Sequence, residues 1–507
     1  MSRIVIVGGG IGGLGAAGIF AKAGHDVVLL EKNPRVGGRA NLLEAKGFTF
    51  DMGPSWYLMP DVFEAYFRLV GERVEDWLDL QRLSPNYRVF FKDAGDTVDI
   101  SGDIATDAAT FERIEPGASQ KLRAYLDASK LQYDIALKRF LYKNYDSIFD
   151  FFTKEALVDG RKLSVFSRMD AYVSRFFKDE RLKKIAEYTL VFLGSSPYDT
   201  PALYNIMSHV DFNLGVWYPM GGIVKVVDAL AGIAQKNGAQ IRTSSPVRRI
   251  LVENGTAFGV ELESGEILRA DTVISNADLA HTDMDLIPAP YRERDASFWD
   301  KKTMAPSAFI LYLGVDGKIP QLVHHNLLFA KDWRKGFDEI FGHAQWPSDP
   351  SLYVCAPSVT DPSVAPQGME NLFILVPIAP GLEDGEEQRA AYAEKILALV
   401  EAEMKIPDLR KRIRFQKIYA VSDFAKDYNS FKGTALGMAH TLRQTAFFRP
   451  NNVSRKVKNL LFVGAGTNPG IGMPVCLVSA ELAYKRFIGD RSSGHLESLQ
   501  TARKKAA

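Results

Sequence analysis

Gly8, Gly10 and Gly13 stand between a β-branched run and a helical one, and this junction constrains the chain more than any other feature. Arg3-Ile4-Val5-Ile6-Val7 reads as a buried strand of a parallel sheet. Ile11 to Ala23 reads as a helix stopped at Gly24, and Val27-Val28-Leu29-Leu30 as the next strand, closed by Glu31. In such a βαβ unit the first glycine permits the tight turn. The second lets backbone approach a pyrophosphate, and the third lets the helix pack closely on the strand. The helix N-terminus adds free N–H groups and a partial positive charge. Glu31 follows the last glycine at about the spacing where an acid accepts from a ribose hydroxyl pair, and it would repel a 2′-phosphate. The unit predicts a bound dinucleotide other than NADP; a flexible N-terminal turn is the plainer alternative.

A second glycine pair, Gly37-Gly38, comes with Arg39 just after Glu31. Paired glycines let backbone approach a ligand, and the planar fork of arginine suits phosphate or carboxylate. Alone, the pair reads better as a surface turn with a solvated arginine. The far end of the chain weighs against that. Residues 459–488, "NLLFVGAGTNPGIGMPVCLVSAELAYKRFI", read as a strand, a glycine-rich turn and a helix. They supply a second helix N-terminus for the same cofactor, as suits a long ligand such as FAD.

These motifs, with "GGRANLLEAKGFTFDMGPSW", "GVWYPMGGIVKVVDAL", "VISNADLAHT", "DPSLYVCAPSVTDPSVAP" and "FRPNNVSRKVKNLLFVGAGTNPGIGMP", resemble the bacterial-type phytoene desaturases. Those are FAD-dependent carotenoid desaturases of the amine-oxidase-like flavoprotein group, and the resemblance runs from Met1 to about Ile488. It implies an α/β fold in which a Rossmann-type FAD-binding domain (1–84, 213–290, 456–490) is interleaved with other parts. These are a helical, membrane-associating region (85–212) and an α+β substrate domain (291–455), with a polar tail at 491–507. It implies FAD contacts from Gly8, Gly10, Gly12, Gly13, Glu31, Lys32, Gly38, Arg39, Gly53, Pro54, Ser55 and Val247. Gly464, Gly466, Gly472 and Met473 complete that set. Asp150 is the catalytic candidate the resemblance implies, to accept the released proton or stabilise cationic character, because it falls where the family places an acid; composition alone makes it a solvated helix aspartate. Two positions depart from the family: Asn468, where histidine is common, and His440 in "GTALGMAHTL", which reads most simply as a hydrogen-bonded core histidine.

Composition narrows the partners. The formal net charge of +1 gives no electrostatic case for nucleic acid. Two cysteines, Cys355 and Cys476, make no C-x-x-C pair, which suits a reducing, cytoplasmic setting. The chain starts on a strand, and its longest apolar runs fall short of the ~18 residues of a spanning helix. The neighbours His324 and His325 are expected to point to different faces, and no metal is assigned. "LKRFLYKNYDSIFDFF", 137–152, mixes basic and aromatic residues, as a lipid interface or a helical core would.

The chemistry the resemblance implies is removal of two hydrogens from a polyene, phytoene, towards lycopene, with oxygen or a membrane quinone as electron acceptor. Such a substrate offers no carbonyl or acidic proton, so alignment in a dry apolar tunnel does most of what protein can do. Three alternatives remain open: a desaturase of a later or C30 carotenoid, an amine or porphyrinogen oxidase, and a non-catalytic lipid escort.

Overall fold

The computed structural model describes residues 1–92, 95–147 and 167–499. A five-stranded parallel sheet organises it, in the order Leu460–Phe462, Thr272–Ser275, Arg3–Val7, Asp26–Leu30, Gln240–Arg242. Both ends and the middle of the chain therefore share one sheet. Its inner strands are buried on both faces, which is why they read as unbroken apolar runs. The helix Ile11–Lys22 is buried from Ile11 to Ala21. A helix apolar on every side must be covered on every side. Met473–Ile488 and Val224–Lys236 pack against it, and the Tyr66 hydroxyl donates to the Gly15 carbonyl at 3.1 Å. Phe20 meets Tyr484 and Phe487 edge-on at 5.2 Å; burying such a ring contributes about 1.5–3 kcal/mol.

A three-stranded meander, Val247–Glu253, Thr256–Leu262 and Ile267–Arg269, turns at Asn254-Gly255 and Ser264-Gly265, the two turn pairs the sequence marks. A second layer is a seven-stranded sheet in the order Ile413–Tyr419, Ser307–Asp316, Met369–Ile378, Leu352–Cys355, His325–Phe329, Tyr87–Phe91, Thr97–Ile100. It is antiparallel apart from the pair His325–Phe329 with Tyr87–Phe91. Side chains alternate across it. Phe309, Leu311 and Ile374 pack on Tyr392, Ile396 and Val400 of the helix Glu386–Glu403, while Ala308, Ile310 and Leu375 face a cavity.

The region 85–212 is less helical than its sequence suggests, because Tyr87–Phe91 and Thr97–Ile100 form the edge of this second sheet. The other partner of Tyr87–Phe91, His325–Phe329, is too distant in sequence for a local pattern to reveal the pairing. Helix begins at Ile104–Ile114, where the Asp103 carboxylate accepts from the Ala105 and Thr106 N–H groups at 2.7 and 3.2 Å. It resumes at Ala118–Ala136. Of the aromatic-basic stretch, residues 148–152, with Phe149, Asp150 and Phe152, lie outside the described residues. In its described part Tyr142 and Tyr145 are buried, and Arg486 pairs with Asp146 and donates to the Tyr145 carbonyl at 3.2 Å. That part packs on Met473–Ile488. Among the described residues no helix is long and apolar enough to cross a membrane.

Candidate cofactor and substrate site

Three glycine turns meet at one end of the parallel sheet. Gly8 bends out of its strand at φ +98°, and Gly464 leaves Leu460–Phe462 at φ +94°, conformations that suit glycine alone. The Gly37 N–H donates to the Gly9 carbonyl at 2.8 Å, laying the second turn beside the first. A Cβ on Gly38 would sit 3.2 Å from Gly10 Cα, and one on Gly12 would sit 2.9 Å from Gly464 Cα and N. Asn276 fills the space between them. Its Nδ2 donates to the Gly8 carbonyl at 3.2 Å, and a Cβ on Gly10, Gly12 or Gly464 would come within 2.6–2.9 Å of its amide.

The turns close one end of a cavity of about 430 Å³, within the usual size range of small-molecule sites. Of the residues the resemblance names, Gly10, Gly12, Arg39, Gly53, Pro54, Ser55, Gly464, Gly472 and Met473 line it. Gly8, Gly13 and Gly38 lie one layer back and shape the turns; a Cβ on Gly13 would run into the Gly8 carbonyl. Glu31 sits beside the first turn, accepting from the Gly9 and Asn33 N–H groups at 2.8 and 2.9 Å. Each carboxylate oxygen keeps a further lone pair for a ribose. Lys32 turns elsewhere: its Nζ donates to the Lys426 carbonyl and Asn429 Oδ1 at 2.7 and 3.0 Å, and burial lowers its pKa. Val247 packs with the apolar cluster around Val7 and Leu30, and Gly466 against Leu279, both outside the cavity wall.

These residues fit FAD. Two helix N-termini, at Gly10–Gly12 and Gly472–Pro474, look into the cavity with their positive ends. Arg39 lines the same cavity. It donates to Ser430 Oγ at 2.9 Å and pairs with Asp278 at 3.7 Å, and its buried Nε has no protein partner. Burial raises the Asp278 carboxyl above its ordinary value, with Arg39 pulling the other way. Arg449, fully enclosed, donates to the Thr467 and Ala465 carbonyls at 3.2 and 2.6 Å and to those of Gln444 and Met438. It fixes the C-terminal glycine turn, and burial lowers its pKa to about 10. Asn276, Asp278 and Arg449 lie in motifs that the sequence displays, yet nothing local says that they converge on one site.

Beyond the cofactor end the wall is aliphatic and aromatic, from Leu193 and Ile310 through Phe329 to Phe337 and Phe341 on the helix Trp333–Phe341. One face carries polar groups: Ser55 Oγ lies 2.7 Å from the Tyr353 hydroxyl, which lies 2.7 Å from His325 Nδ1. The expectation that His324 and His325 face apart is wrong. The chain bends at the start of their strand, the rings are 4.5 Å apart, and His324, His325 and Cys355 place ligand-type atoms within 4.8 Å of one another. Burial lowers the pKa of both histidines, His324 to about 3, and raises both cysteine thiols, Cys355 and Cys476, to about 12. His440 is buried, with Nδ1 2.7 Å from the Tyr204 hydroxyl and Nε2 accepting from the Ile471 N–H at 3.1 Å.

The sequence model of flavin-containing amine oxidoreductases matches residues 11–484. A carotenoid 3,4-desaturase of Haloarcula japonica is 50% identical over 96% of this chain and 98% of its own length. A zeta-carotene-forming phytoene desaturase of Myxococcus xanthus is 38% identical over 96% and 94%. Among solved structures, an oxidoreductase of Methanosarcina mazei superposes with a TM-score of 0.64 at 21% identity, covering 95% of this chain and 100% of that one, a likeness of fold. The glycine turns, the two helix N-termini and the apolar cavity behind them belong to a member of the flavin-containing amine oxidoreductase family: the chain is an FAD-dependent carotenoid desaturase.

Proposed function

We propose that the chain desaturates an acyclic C40 carotenoid at the 3,4 bond, near one end of the polyene. The 50% identity to a 3,4-desaturase across almost the whole of both chains carries this reading. FAD, when bound, would accept the two electrons as a hydride equivalent. The chain's own residues do the rest. Arg39 and the two helix N-termini would hold the anionic pyrophosphate of the cofactor, while the apolar wall from Leu193 to Phe341 excludes water and aligns the polyene. Oxygen or a membrane quinone then takes the electrons, since Cys355 and Cys476 form no C-x-x-C redox pair.

Peripheral attachment to a membrane surface belongs to the same reading, because the substrate dissolves in bilayers. The helix Trp333–Phe341 supports it: Phe337, Ile340 and Phe341 line the cavity while the side chains of Lys331, Arg334 and Lys335 are exposed beside them.

The second reading is conversion of phytoene towards lycopene, supported by the 38% identity to a phytoene desaturase. Expression in cells that accumulate phytoene, and separately in cells that accumulate lycopene, divides the two. The 3,4 reading expects red-shifted pigment only in the lycopene cells. Coloured product from the phytoene cells alone overturns it in favour of the second.

A further inference from the structure

Desaturation releases a proton as well as a hydride, and the apolar wall leaves few places for it. Ser55 and Tyr353 are polar groups of that wall, each 7% exposed. Behind Ser55 lies a second, small cavity of about 10 Å³, bounded by Asp51, Ser55, Tyr218 and Cys355. Its size suits a single water. The Asp51 carboxylate accepts from the Ile223 and Val224 N–H groups at 2.7 and 3.0 Å, at the start of Val224–Lys236. On the other side, Trp56 lies flat on His325 at 4.0 Å and 8°, fixing the ring whose Nδ1 meets Tyr353.

We propose that the reaction's proton leaves the main cavity through the Ser55 hydroxyl and a water in the small cavity to the carboxylate of Asp51, with Tyr353 and His325 orienting Ser55. This rests on the desaturase reading above. With the proton of neutral His325 on Nδ1, donation runs from His325 to Tyr353 and from Tyr353 to Ser55 Oγ. That leaves the Ser55 proton free to turn towards the small cavity. The atoms and electrons balance. One C–H bond of the polyene breaks with its electron pair, and the hydrogen leaves as hydride to the oxidant at the cofactor site. The electron pair of the adjacent C–H bond becomes the new π bond, and its proton goes to Ser55 Oγ as the serine's own proton passes through the water to Asp51. The polyene is oxidised by two electrons and the cofactor is reduced by two.

Burial raises the Asp51 carboxyl to about 7, so it is an acceptor suited to neutral pH. The groups facing it are the Tyr218 phenol, the Cys355 thiol, the Tyr312 phenol and, across Tyr218, Asp361, which accepts from the Tyr218 hydroxyl at 3.2 Å. The Tyr353–His325 arm orients and does not accept, because burial and neighbouring His324 hold His325 neutral.

The test is anaerobic flavin reduction by a liposome-borne acyclic carotenoid, followed from pH 5.5 to 8.5 in wild type, Asp51→Asn and Ser55→Ala. Alongside it, the infrared carboxylic-acid band of each protein is titrated without substrate. Wild type should slow as pH falls through about 7. Both variants should be slower by about 100-fold, the scale of acid–base catalysis, with that inflection gone. The infrared titration near pH 7 should persist in Ser55→Ala and vanish in Asp51→Asn. Asparagine keeps only one of the two acceptor oxygens and turns its NH2 towards the other backbone N–H; should Asp51→Asn fail to hold flavin, Ser55→Ala decides alone. Variants that keep the wild-type inflection overturn the proposal and leave Asp51 as a helix cap, with the functional reading intact. A wild type that oxidises no carotenoid overturns that reading and the proposal with it.

Discussion

Gly12→Ala tests whether the two ends of the chain hold one cofactor together. The added methyl would lie 2.6 Å from Asn276 Oδ1 and 2.9 Å from both Cα and N of Gly464, where ordinary contact begins at 3.4 Å. Two of the three atoms are backbone, so a rotamer change cannot relieve the clash, and the turns must part by about 0.5 Å. Retreat of the helix is opposed by Val224–Lys236, which packs against it as Met473–Ile488 does. Overpacking of this kind costs about 1–3 kcal/mol. Because FAD needs the turns closed, the cost appears as affinity: a loss of about 5–150-fold. The assay is fluorescence titration of apoprotein with FAD, with thermal unfolding measured in parallel. Gly385→Ala is the control, since a Cβ there meets nothing within 4 Å. Unchanged affinity and unchanged melting temperature in Gly12→Ala would refute the reasoning that the two turns share one ligand.

Other outcomes follow from single residues. Arg39→Ala should weaken FAD by about 1.5–3 kcal/mol, the range for charged hydrogen bonds, with Arg39→Lys recovering part of it; unchanged titration would return Arg39 to its bonds with Ser430 and Asp278. The Asp51 carboxyl is raised from 3.8 to about 7, so its contribution to stability is complete at low pH and is lost as pH rises through 7. From pH 5 to 8 the stability of Asp51→Asn relative to wild type should therefore climb by about 3 kcal/mol in denaturant titrations. His440→Ala strands the Ile471 N–H and should destabilise by about 1–3 kcal/mol without altering the absorption spectrum of bound FAD. In liposome flotation, replacing Phe337, Ile340 and Phe341 by serine should release a correctly folded protein; retention with the wild-type fraction would remove this helix from the membrane reading.

The cofactor end was legible because each of its parts is local. A strand, three spaced glycines and a helix read as a unit around Gly8–Gly13, and the same logic found Gly464–Met473. What joins them was not legible. Asn276 sits in a recognisable motif, but its contact with Gly8, Gly12 and Gly464 depends on the register Ser275↔Phe462 and Ser275↔Val7 in the folded sheet. The same holds for Tyr87–Phe91, whose strand partner comes far later in the chain. Lys32 shows the converse failure. Position after the ribose acid suggested a cofactor contact, yet its long side chain finds the end of the helix Val421–Tyr428 instead. The facing-apart expectation for His324 and His325 assumed regular alternation, which fails where a strand is only beginning.

One measurement bears most directly on the account: anaerobic mixing of the FAD-loaded protein with an acyclic carotenoid in liposomes, followed at the flavin absorbance. The oxidised flavin band should bleach in step with a lengthened polyene chromophore, and return only when oxygen or quinone is admitted. A flavin that stays oxidised with every acyclic carotenoid offered, yet bleaches with an amine or a porphyrinogen, would contradict it.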